Sequence, residues 1–221
     1  MALSLTKDNK IPADAVRLSE KEALVYFLRI VDGWENKGES WPIMYTAGIL
    51  GASTVVSSVY LNNHYRSKLR LSNYGRLSSY LPGVVLPAIM ATFFHKTYIL
   101  PEVALSKQQC PVCIQTKSGL FQAGFSTIYP MLLAPISAFM FATRHFTYRL
   151  PSITAQPREV FMLYRKMSSP ITMAVIGLVA FNLMLSMFLT GKEIESVYKI
   201  NLSLMDLEHR VENDSLQPID N

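Results

Sequence analysis

Four apolar stretches punctuate this chain of 221 residues, at about residues 43–62, 77–100, 119–143 and 171–190. A helix rises about 1.5 Å per residue, so roughly 20 apolar residues cross a bilayer core. The pattern predicts an all-α polytopic membrane protein with four transmembrane helices over 43–190, an N-terminal tail (1–42) and a C-terminal tail (191–221). Outside the spans the period is also helical. Leu24, Phe27, Leu28 and Val31 follow Ser19 and Glu22, a capping-box pair, and predict an amphipathic helix over about 20–32 that ends at Gly33. After Pro157, one face is formed by Val160, Leu163, Tyr164 and Met167; Arg158, Met162, Arg165 and Lys166 fall largely on the other. Past Lys192 the pattern predicts helix to about Val211 and a polar, frayed end beyond it.

The spans differ in character. The first is rich in small residues, and Ala47 with Gly51, and Gly48 with Ala52, are small-xxx-small pairs that admit a close helix neighbour. Trp41 and Tyr45 suit an interfacial aromatic belt. Pro82 and Pro87 interrupt the second span, and Pro130 and Pro135 the third, so kinks are expected in both. The carbonyls they release, such as those of Gly83 and Ser126, need surroundings inside protein because lipid offers no donors. His95 and Lys96 lie near the end of the second span, where a lysine can snorkel to the interface. The fourth span carries no charge. Its one strongly polar side chain, Asn182, is expected to hydrogen-bond across a helix interface, with Met173, Met184 and Met187 as adaptable packing surface.

Charge then orients the bundle. Half the residues are hydrophobic and only 17% are charged, below the quarter usual for a soluble domain. The first connection holds Arg66, Lys68, Arg70 and Arg76 with no acid; the third holds Arg144, Arg149, Arg158, Arg165 and Lys166 against Glu159. The tail from Lys192 has three bases and seven acids. The positive-inside rule places the first and third connections on the matrix or cytosolic side, and both tails with the second connection on the other. The opening ten residues lack both the apolar core of a secretory signal and the acid-free Arg-rich helix of a presequence. Any organellar signal is therefore expected to be internal, in the first basic connection with its flanking spans. The basic helix after Pro157 reads equally as a contact for anionic lipid or for a protein partner.

Little catalytic chemistry is visible. The only cysteines, Cys110 and Cys113, form a Cys-x-x-Cys pair before the third span, suited to a disulfide, to thiol exchange or to half a zinc site. His64, His95, His145 and His209 are scattered, which argues against zinc. A relay enzyme of this kind typically needs a second cysteine pair, and none is present. There is no phosphate-binding glycine loop, metalloprotease motif or nucleophile elbow. Acids are absent from the spans, which disfavours a pump or ion-coupled transporter. Sequons at Asn201 and Asn213 would matter only in the secretory pathway. No catalytic residue, metal, cofactor or nucleic-acid partner is expected.

Cys110-Pro-Val-Cys113, then Lys117-Ser118-Gly119-Leu120, then Tyr129-Pro130, resemble the transmembrane protein 126 family. Arg144, Leu150-Pro151 and Arg165-Lys166 add to the likeness, which covers about residues 43–190. The resemblance implies a multi-pass protein of the mitochondrial inner membrane without catalysis of its own. It implies an assembly factor for respiratory complex I, which holds membrane-arm intermediates together with other assembly factors and then leaves. In that membrane the termini and the cysteine loop would face the intermembrane space, the basic loops 63–76 and 144–170 the matrix, and the anionic lipid partner would be cardiolipin. Of the two vertebrate paralogues, one is associated with the proximal arm and the other with a more distal module; the residues do not choose between them. A membrane thiol-disulfide oxidoreductase using Cys110 and Cys113 stands as the alternative.

Overall fold

A computed structural model of the chain describes residues 18–106, 110–148 and 156–216. The opening ten residues, Lys107, Arg149, Leu150-Pro151 and the tail beyond Leu216 therefore lie outside the described residues. Those described are helical, in the order α1 (Glu20–Asp32), α2 (Lys37–Lys68), α3 (Arg76–Ala104), α4 (Pro111–His145), α5 (Pro157–Ser168) and α6 (Thr172–Leu216). Among the described residues, four helical runs are long and apolar enough to cross a membrane, one for each apolar stretch of the sequence. The helices overrun the stretches because the polar residues at their ends remain good helix formers. The extreme case is α6, whose 45 residues extend about 67 Å at 1.5 Å per residue.

The prolines of α3 and α4 are accommodated by π turns. Leu81–Val85 is π-helical, Leu86 N–H reaches back to Leu81 O, and Pro87 follows. Gly124–Ile128 repeats the arrangement: Tyr129 N–H reaches Gly124 O, and Pro130 follows. A third π turn, His95–Ile99, precedes Leu100 and Pro101. A proline ring collides with the carbonyl four residues back and brings no N–H of its own. One extra residue in the preceding turn moves that carbonyl aside. Gly83 and Ser126, four residues before Pro87 and Pro130, are both buried. Pro82 sits inside the first π turn, and Pro135 lies within α-helix.

The chain divides into two compact units. The first takes in Met1–Thr46, Lys96–Gln115 and Phe188–Asn221, and the second Ala47–His95 and Thr116–Met187. In the first unit, Ser19 and Glu22 cap α1 reciprocally. Phe27 and Val31 of α1 are 1% exposed and pack with Ile99, Val103, Val197 and Ile200. Burying such side chains contributes about 1.5–3 kcal/mol each, which holds a 13-residue helix too short to persist alone in water. Trp34 Nε1 donates to Glu39 Oε2 at 3.1 Å and Lys37 Nζ to Asp32 O at 2.7 Å, fixing the turn into α2. Ser196 Oγ donates to Glu39 O.

In the second unit the core gathers Leu61, Tyr65, Leu69 and Leu71 against Ala134, Ala138, Phe139 and Ala142. The segment between α2 and α3 is fastened from within. Arg66 is buried, and its guanidinium donates to Ser79 Oγ (2.7 Å), Ser72 O (2.8 Å) and Tyr74 O (3.0 Å). A basic residue thus serves as an internal staple for a turn whose carbonyls would otherwise lack donors. Gly75 takes φ +57°, and a Cβ there would stand 2.6 Å from the Phe141 ring. The left-handed backbone favours glycine at this position, and a side chain would have to displace the Phe141 ring.

Candidate functional site

The small-residue face of α2 separates into two parts. Ala47 and Gly51 are buried. A Cβ on Gly51 would lie 2.5 Å from Thr92 Oγ1, and Thr92 Oγ1 itself lies 3.4 Å from Ala47 O and 2.9 Å from Ala88 O. This pair is where α3 crosses α2. Gly48 and Ala52 point the other way and are exposed, and nothing lies within 4 Å of a Cβ built on Gly48. Val56 (70% exposed) extends the open face along the helix. Of the four residues, two are committed to the chain's own packing and two remain available to another helix.

Behind that face runs a polar seam that reaches three of the four spans. Gln122 Nε2 lies 3.0 Å from Leu50 O, Ser53 Oγ and Thr54 Oγ1, and 3.3 Å from Asn182 Oδ1. Its two protons are shared among four acceptors. Asn182 Nδ2 donates to Ser57 Oγ at 2.9 Å, and Ser118 meets Ser186 at 2.7 Å. Asn182 therefore bonds across helices, as its isolation in an apolar span suggests. Gln122 is its unforeseen counterpart; the signal was equally present, a lone amide inside the third apolar stretch. Farther along α2, neither amide atom of Asn62 nor Ser58 Oγ has a hydrogen-bond partner among the described residues, although both residues are buried.

Cys110 and Cys113 are joined as a disulfide at the start of α4, with Cα atoms 5.4 Å apart. Cys110 Sγ accepts from Cys113 N–H at 3.3 Å. Both residues and the intervening Pro111 and Val112 are exposed. Among the described residues no group of three His, Cys, Asp or Glu could hold a metal ion. The basic face of α5 is also open. Val160, Leu163, Tyr164 and Met167 pack on the second unit's core, while Arg158, Arg165 and Lys166 are exposed.

The model of the family described as "Transmembrane protein 126" matches residues 35–206. The chain belongs to the transmembrane protein 126 family. It is also 47% identical to the protein named "Transmembrane protein 126" of Drosophila melanogaster, over 98% of this chain and 97% of that one. No solved structure matches it. The match to the transmembrane protein 126 family thus takes in all four spans, with the seam, the cysteine pair and α5, and extends somewhat beyond the 43–190 stretch that the resemblance covers.

Proposed function

We propose that this protein is a non-enzymatic assembly factor that binds membrane-arm intermediates of respiratory complex I in the mitochondrial inner membrane. Family membership carries the reading, because that role is what the transmembrane protein 126 resemblance implies. The structure supplies a means. The outward Gly48–Ala52 face of α2 lets a subunit helix approach closely, where packing contacts replace the hydrophobic drive that lipid cannot give. Meanwhile the Gln122–Asn182 seam holds the protein's own helices together without that face. Other assembly factors would meet the segments outside the bilayer, α1 and the end of α6. The charge pattern supports the two tails and the cysteine pair facing the intermembrane space, and the basic connections facing the matrix. An exposed disulfide suits a thiol-oxidising compartment.

The same exposed disulfide favours one second reading, a thiol-disulfide oxidoreductase. A client dithiol would pass two electrons to the Cys110–Cys113 bond, leaving an oxidised client and two thiols here. One experiment separates the two. Cells lacking the protein are complemented with wild type or with Cys110→Ser/Cys113→Ser, and mitochondrial complexes are resolved on native gels. The scaffold reading expects stalled membrane-arm intermediates without the protein and their completion with either form. Completion by wild type alone selects the oxidoreductase, and undisturbed complex I without the protein overturns the assembly role.

A further inference from the structure

We propose that the outward face of α5 is a binding surface for anionic phospholipid, clasping phosphate diesters with Arg158, Arg165 and Lys166 while Phe161 and Met162 enter the headgroup layer. The helix has two faces with different occupants. Val160, Leu163, Tyr164 and Met167 are spent on the second unit's core. His64 Nε2 meets Met167 O at 3.0 Å, and Tyr65 OH meets Ser168 Oγ at 2.8 Å, so α5 is clamped in one rotation. That rotation turns Arg158, Met162 and Lys166, at successive four-residue steps, away from the core, with Phe161 and Arg165 beside them. Phe161 is 64% exposed and Met162 54%, although each is bracketed by cations. Among the described residues none of the three cations is in an ion pair.

Bare apolar side chains interleaved with unpaired cations suit an interface that is both greasy and anionic, which a headgroup layer is and water is not. Position agrees: only the turn Ser169–Ile171 separates α5 from α6 and its apolar run. Arg165, Lys166 and Ser169 line a shallow depression there with Met162 and Pro170, placing two cations and a hydroxyl around one concavity. Charge complementarity extends past α5. Exposed Lys68, Arg70, Arg76 and Arg144 add further cations to the second unit's basic connections, where Glu159 is the one acid, so these connections repel a basic surface and attract an acidic one. Lipid is favoured over an acidic protein because the exposed apolar residues lie in the same rows as the cations.

The test uses full-length protein in neutral detergent, incubated with phosphatidylglycerol or phosphatidylcholine, with bound lipid counted by native mass spectrometry. A basic residue near an anionic surface contributes about fivefold, so three give roughly a hundredfold preference for phosphatidylglycerol, lost as salt is raised. Arg158→Gln/Arg165→Gln/Lys166→Gln should lower phosphatidylglycerol retention to the phosphatidylcholine level, while Arg210→Gln on exposed α6 leaves it unchanged. Comparing the two lipids on wild type requires no variant to fold. Equal retention of both lipids, or full retention by the triple variant, overturns the proposal. So does an acidic protein that binds wild type but not the triple variant while lipid retention stays the same.

Discussion

Gly75 and the Gln122–Asn182 pair show how single residues set the architecture. At Gly75 a methyl group would meet both a left-handed backbone and the Phe141 ring. Gly75→Ala should cost roughly 1–3 kcal/mol, seen as a lower melting temperature in detergent. Gly177→Ala, where a Cβ meets nothing within 4 Å, should be neutral or slightly stabilising. In the seam, Gln122→Leu and Asn182→Leu should each cost about 0.6–2 kcal/mol, the range of interhelical hydrogen bonds in membranes. Because the two share acceptors, the double variant should cost less than the sum, a coupling that a double-mutant cycle in denaturant measures. Asn182 was legible as a bridging residue because nothing else in its span is strongly polar. Arg66 was not. Its charge suggested a loop at the membrane surface, and only the folded turn shows its guanidinium turned inward on carbonyls.

At the scale of elements, α1 and the proline-bearing helices were read from sequence to different depths. The capping box at Ser19 and Glu22 was visible in spacing alone and is present in full. The Ser19 hydroxyl and backbone N–H together hold the Glu22 carboxyl below its ordinary value of 4.5. A carboxyl with a lowered folded pKa stabilises its helix above the unfolded value and loses that contribution as pH falls through the folded one. Amide exchange across the first turn of α1, corrected for intrinsic rate, should therefore accelerate as pH drops below 4.5. Ser19→Ala should already exchange faster at neutral pH. In α3 and α4 the sequence predicts kinks at Pro82, Pro87, Pro130 and Pro135; what the structure shows is a π turn ahead of Pro87 and of Pro130. Whether a helix yields by breaking or by adding a residue to one turn depends on the neighbours that enclose Gly83 and Ser126, which hydropathy does not encode.

For the whole molecule, hydropathy made the number and placement of the spans legible, since a bilayer imposes length and backbone satisfaction on every crossing. The division of labour within α2 was beyond it. Four small residues at adjacent positions look alike in sequence, yet Gly51 is held against Thr92 while Gly48 is open, a distinction set by where α3 crosses. If the outward face docks a partner as proposed, substitutions at the two glycines should separate stability from docking. Gly51→Leu should destabilise the protein itself and lower its steady-state amount. Gly48→Leu should leave melting unchanged and weaken only what the outward face holds. The most direct measurement is therefore affinity purification of tagged wild type and Gly48→Leu from mitochondria in gentle detergent, read by native gel and quantitative mass spectrometry. The account predicts complex I membrane-arm subunits and other assembly factors with wild type, none of the finished enzyme, and a severalfold loss of those subunits with Gly48→Leu at equal protein level. Wild type migrating without membrane-arm subunits would contradict it.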